Sequence, residues 1–327
     1  MPAEWSLHDA TWVAWPSHAE LWQENLQPAR RAFARMVSAI AQGEAVEVLV
    51  PDDAQEQAAR AVLPTDGVRY HRIPFGDIWL RDTGPIFLAD GETAIAAGFR
   101  FNGWGGKYVL EGDETVAEQL AAAAGVPLRA HDFVLEGGAV DHDGFGTVLT
   151  TRQCLLNPNR NPGWTEAAAE AALAEALGAR RVLWLGEGLA NDHTDGHVDN
   201  LARFVAPGVV ACPVAFGRDD PNAAVYDETA RLLASMTGAR GAPLQVARIA
   251  SPGRIEDADG AVVPASHMNF IIANGAVIAP TYEEAAAPYA LDALRSLFPE
   301  RTVIGLPSRA LLTGGGSFHC ITQQEPA

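Results

Sequence analysis

Residues 268–306 read MNFIIANGAVIAPTYEEAAAPYALDALRSLFPERTVIGL, and the order of elements in that stretch decides the fold. Two β-type runs flank Asn274-Gly275, a strong hairpin signal. PYALDALRSLF (288–298) then sets apolar residues at helical spacing among good helix formers. TVIGL (302–306) follows as a short apolar strand. A hairpin, a helix and a further strand make one ββαβ unit.

Working outward, the unit recurs. PARRAFARMVSAIAQ (28–42), DETVAEQLAAAA (113–124), TEAAAEAALAEALGA (165–179) and YDETARLLASM (226–236) are helical by the same spacing. Strand-like runs follow them: VEVLV, PLRAHDFV, RVLWL and LQVARI. A second hairpin is expected in RFVAPGVVACPVAF around Pro207-Gly208, and PDDAQEQAARAVL adds a helix near the N-terminus. About five such units share a period, the mark of a repeat architecture. No Ser- or Pro-rich linker separates them. The reading is one closed α/β domain over residues 1–327, against an ordinary mixed α/β sandwich.

Composition narrows the class. No apolar run is long enough to span a bilayer, and MPAEWSLHDA lacks the basic and apolar regions of a signal peptide. The cysteines are Cys154, Cys212 and Cys320, an odd and sparse set that fits a reducing, cytoplasmic setting better than a disulfide scaffold. A formal net charge of -18 repels nucleic acid and anionic membranes and favours small cations. Solubility alone also accounts for the charge, and on composition alone it is the preferred reading.

Four places concentrate polar residues where hairpins begin or end. In IWLRDTGPIF (78–87), Arg81 and Asp82 interrupt a strand-like run. Buried charges there need partners, and an Arg81–Asp82 structural network is the competing explanation. In FVLEGGAV (133–140), Glu136 precedes two glycines. In NDHTDGHVDNLARFV (191–205), His197 and Asp199 alternate, so on a strand both would face one cleft. The fourth is GGGSFHC (314–320), where Cys320 follows three glycines. Such a loop lets a substrate approach closely, which makes the thiol a candidate nucleophile. An incidental buried thiol on a flexible tail is the alternative. His193 and His197 also stand four apart, the spacing of two zinc ligands on a helix. Gly196 and Thr194 make that helix poor, and no HExxH glutamate is present. Phosphate binding lacks both a lysine and a following helix at the glycines.

Taken together and in order, IWLRDTGP, FNGWGG, FVLEGGAV, NRNPG, GHVDNLARF, NFIIANGAVIAP and GGGSFHCITQQEP resemble the agmatine deiminases and the related bacterial peptidylarginine deiminases. These belong to the guanidine-modifying enzyme superfamily. The resemblance implies a five-bladed pseudosymmetric α/β propeller with a central active site, in agreement with the repeats. It implies Cys320 as nucleophile and His197 as general acid/base. It also implies Asp82 and Asp199 as the guanidinium-binding carboxylates, and Glu136 as the partner of His197. Trp79 and Trp104 become candidate walls for the substrate, or core tryptophans, and Gly315 and Gly316 candidate substrate-contacting backbone. The chemistry needs no metal or organic cofactor. The implied substrate is agmatine, with peptidyl or free arginine or another guanidine as alternative, and a catalytically dead, cation-binding propeller as the reading from another class. A homo-oligomer is also implied. The stretch Asn191–Asp195 and Ser317-Phe318 depart from the agmatine-type pattern, which bears on the substrate's far end only.

Overall fold

The computed structural model describes residues 1–90 and 93–327. The chain opens with β1 (His8–Ala14), β2 (Ala45–Val50) and β3 (Val68–Arg72). The helix Leu26–Ile40 joins the first two in parallel. It buries Ala29, Phe33, Met36, Val37 and Ile40, one face at helical spacing. Four further sheets follow, each a hairpin whose second strand pairs in parallel with a third: β4 (Ile86–Asp90), β5 (Thr93–Arg100) and β6 (Leu128–Val134); β7 (Val140–His142), β8 (Thr147–Thr151) and β9 (Arg181–Leu185); β10 (Arg203–Ala206), β11 (Val209–Val214) and β12 (Gln245–Ala250); β13 (Ile271–Ile272), β14 (Ala276–Thr281) and β15 (Thr302–Pro307). The last strand, β16 (Thr322–Pro326), returns to pair antiparallel with β1 and completes the first sheet. Every sheet therefore carries the ββαβ order read from residues 268–306, and their number, five, is consistent with the five-bladed propeller.

Parallel pairing needs a long crossover, and the helices Val116–Ala124, Glu166–Leu177, Ala223–Ser235 and Ala287–Leu297 supply it. The expected hairpins form. Gly208 takes φ +76 behind Pro207, as a tight turn requires. Asn274 works differently: its side chain accepts from the His8 backbone N–H and donates to the His8 carbonyl, both at 2.9 Å, tying β13–β14 to β1. Arg203, with no exposed surface, binds Asp141 at 2.6 Å, the Phe270 carbonyl at 2.9 Å, and Glu4. One side chain thus links the N-terminal segment to three blades.

Among the described residues no helix is long and apolar enough to cross a membrane.

Candidate active site

The polar motifs meet where the hairpins begin. Two of them take a local shape the alternation of residues did not predict. Leu80–Thr83 is a single helical turn rather than strand. His197 caps a short 3-10 turn, Val198–Asn200, rather than lying on a strand. The turn still brings His197 and Asp199 to one place. A Cβ added to Gly138 would lie 2.5 Å from His197 Nδ1, 3.0 Å from Asp82 Oδ1 and 3.1 Å from Asp199 Oδ2. Gly138 is glycine because three functional side chains converge on it.

Arg81 does not pair with Asp82. Its guanidinium donates to Gln323 and Gln324 at 2.7 Å each, and its backbone N–H donates to the Cys320 carbonyl at 3.1 Å. These bonds lock the Asp82 turn to the Cys320 turn. Asp82 faces inward instead: Oδ1 accepts the Gly138 N–H and Oδ2 accepts the Trp104 indole N–H, both at 2.9 Å. Trp104 holds φ +53, a costly backbone state for a bulky residue that often marks a functional site.

Cys320 is 5% exposed. Its sulfur lies 3.6 Å from Asp199 Oδ2 and accepts from the Asn269 amide at 3.0 Å. Burial, then the charges of Asp199 and Asp82, push the thiol well above its ordinary value, while the Ser317 N–H and Asn269 amide act against this. Asp199 is buried too. Burial pushes its carboxyl up, but the His319 ring, 2.8 Å away, together with His197 and Arg203 holds it below the usual range, and its other oxygen has no protein partner.

His197 sits between carboxylates. Nδ1 is 3.8 Å from Asp82 and Nε2 is 3.8 Å from Glu136. Neither nitrogen has a hydrogen-bond partner, though the ring is wholly buried. Burial disfavours the imidazolium, but Asp82, Cys154 and Glu136 together raise the ring well above its ordinary value. Burial pushes Glu136 up and His197 and Arg160 pull it down, with a net lowering. Arg160 Nε binds Glu136 at 2.7 Å and the guanidinium reaches Asp195 and the Thr194 carbonyl, so one arginine fixes both the carboxylate and the loop that carries His197.

A cavity of about 230 Å³ opens over Cys320 and Asp82. Trp79, Trp104 and the Gly314–Gly316 loop line it, with Trp22, Tyr108 and His193. A side chain at Gly316 would run into the Trp79 ring at 2.7 Å and approach Cys320 Sγ at 3.1 Å. Gly315 holds φ +109. Trp79 donates to Asp77 at 2.8 Å and stacks with Trp22.

Every residue singled out from the sequence lies here. Asn269, Arg160 and His319 were not singled out, although the first two stand inside the NFIIANG and NRNPG motifs and His319 precedes the cysteine. The zinc spacing fails. His193 and His197 stand on a tight turn, His193 exposed with Nδ1 3.1 Å from the Tyr108 hydroxyl, His197 buried. Among the described residues the metal-type donors that do cluster are Glu136, Cys154 and His197. Arg160 already occupies Glu136 with a positive charge, which works against a cation there.

A buried thiol, an imidazole and paired carboxylates at the hub of five α/β blades define a guanidine-modifying hydrolase, acting on C–N bonds of linear amidines. The chain belongs to the family described as Porphyromonas-type peptidyl-arginine deiminase, whose model it matches over residues 1–326. It is 39% identical to an agmatine deiminase of Ectopseudomonas mendocina and 38% identical to one of Pseudomonas aeruginosa, in each case across all of this chain and 95% of the relative. The solved agmatine deiminase of Enterococcus faecalis superposes with a TM-score of 0.94 at 34% identity, covering all of this chain and 95% of that one.

Proposed function

We propose that this protein hydrolyses agmatine to N-carbamoylputrescine and ammonia in one catalytic domain, with Cys320 as nucleophile. The observation that carries the reading is the convergence of Asp82, Asp199 and His197 on Gly138, with Asp82 and Cys320 lining a small indole-walled cavity and Asp199 3.6 Å from the Cys320 sulfur.

A guanidinium is planar and offers N–H pairs that two carboxylates bind in parallel. Asp82 and Asp199 hold that plane over the sulfur, which puts the central carbon in range of attack. The bound cation reverses the like-charge penalty on Cys320, and the thiol loses its proton to solvent as substrate docks. Attack forms a tetrahedral adduct. His197, as imidazolium, gives its proton to the leaving nitrogen, and ammonia departs. Water then attacks the S-alkylthiouronium with neutral His197 as base, and the C–S bond breaks to free the ureido product and Cys320. Glu136, kept ionised by Arg160, steadies the imidazolium. The indole faces suit an alkyl chain and a second cation. The acidic charge of the whole chain suits a dication, and a reducing cytoplasmic setting suits the free thiol.

A second reading, in which the far end of the guanidine compound is an arginine backbone, is favoured by one observation. His193 lines the cavity, and Lys107, paired with Asp195, donates to the His193 carbonyl at 2.8 Å. Ammonia release measured in parallel from agmatine, free arginine and a peptide arginine separates the two. Preference for agmatine supports the first reading, preference for either arginine substrate supports the second, and no release from any of them overturns both.

A further inference from the structure

The ring of His197 lacks a partner that its burial demands. Both nitrogens are sealed and unpaired, and the carboxylates of Asp82 and Glu136 stand off at 3.8 Å. One more group lies against it. The Cys154 sulfur, a His197 ring nitrogen and a Glu136 oxygen all lie within 4.8 Å of one another. Cys154 has no exposed surface, and it does not line the cavity over Cys320. Its backbone is tied to the same loop. The Cys154 N–H donates to Thr151 Oγ1, and that hydroxyl donates at 2.6 Å to the carbonyl of Gly196, the residue before His197. One turn, Arg152–Leu155, thus steadies the backbone of His197 and presents a thiol to its ring.

We propose that Cys154 is a positioning residue for His197, its sulfur serving with Glu136 as the acceptor that holds the protonated ring while the nitrogen facing Asp82 works on the substrate. The role rests on the deiminase reading above. Apo contacts of this kind are commonly long and tighten in the complex, and a thiol is a weak, polarizable acceptor that lets the ring give up its proton later. The groups facing His197 are Asp82, Glu136 and Cys154, with Asp199 and Cys320 across the site and Arg160 behind Glu136. The carboxylates and Cys154 favour the imidazolium, and Arg160 opposes it. Loss of the sulfur therefore lets His197 deprotonate at lower pH.

Cys154→Ala and Cys154→Ser are compared with wild type by steady-state kinetics across pH and by NMR titration of the His197 ring. The alanine variant is expected to lose about tenfold or more in kcat, a fraction of a general acid's worth, with KM little changed. Its alkaline limb and its His197 titration both move to lower pH, and serine restores most of both. Wild-type kcat, pH profile and titration in Cys154→Ala overturn the proposal, and a lowered melting temperature alone assigns Cys154 to packing. Should the alanine variant not fold, Cys154→Val fills the space without an acceptor. Valine must lose what serine keeps, and equal behaviour of the two contradicts the role. If wild type turns over no guanidine compound, the deiminase reading has failed, and the NMR titration still decides whether Cys154 holds the ring.

Discussion

The Asn269 amide nitrogen lies 3.0 Å from Cys320 Sγ, while its carbonyl oxygen accepts the backbone N–H groups of His319 at 3.0 Å and Cys320 at 3.3 Å. One side chain from the fifth blade therefore both shapes the nucleophile's turn and offers a proton to its sulfur. A hydrogen bond to a charged group contributes about 1.5–3 kcal/mol, so Asn269→Ala is expected to lower kcat roughly ten- to a hundredfold. Because the amide favours the thiolate, the variant's iodoacetamide inactivation should shift to still higher pH. An unchanged profile would mean the amide only holds the turn.

Asp82→Asn places an NH2 where both carboxylate oxygens already accept, from Gly138 N–H and the Trp104 indole. Asp199→Asn removes the charge opposite His319. Each breaks a desolvated ion pair with the substrate, on the order of 3–5 kcal/mol in kcat/KM. Steady-state kinetics check this, and near-normal activity in either variant would show that other carboxylates bind the guanidinium.

Much of this was legible in the sequence, and what was not has a physical reason. Periodicity carries the blades, because each helix and strand must bury one face, and the Asn274-Gly275 hairpin is a local signal. The polar residues at the hairpin starts stood out because charge among apolar runs is costly. Asn269 and Cys320 are 51 positions apart, and no local pattern says that their blades meet at the hub. Arg160 likewise reads as loop chemistry until Glu136 and Asp195 close on it. His197 and Asp199 were brought together by alternation, yet they meet through a 3-10 turn.

Asp113 gives a stability test away from catalysis. Burial and the nearby Asp77 raise its carboxyl to about 7, against the N–H groups of Gly76 and Asp77 that bind one oxygen, and the other oxygen is buried without a partner. Its folded value is above its unfolded value. It therefore favours the fold at low pH, and that contribution is lost as pH rises from the ordinary carboxylate range through about 7. Asp113→Asn removes this dependence. Its melting temperature relative to wild type should rise from pH 5 to pH 8, and a constant difference would contradict the assignment.

The thiol's charge state separates two ways of activating it. Burial, Asp199 and Asp82 raise Cys320 in the free protein. The thiolate fraction grows with pH, so iodoacetamide inactivation should have its midpoint above the ~8.5 of an ordinary cysteine. A cationic amidine alkylator should react much faster at neutral pH, since its charge fills the carboxylate pair. A midpoint well below neutrality would show a preformed Cys320–His197 ion pair and sink substrate-assisted activation.

The covalent step is the centre of the account. Protein quenched during agmatine turnover, digested and examined by mass spectrometry should carry an amidine adduct on the peptide containing Cys320, and Cys320→Ser protein should show neither adduct nor ammonia release while retaining its fold. An adduct on Cys154 or Cys212 instead, or undiminished turnover by Cys320→Ser, would contradict it.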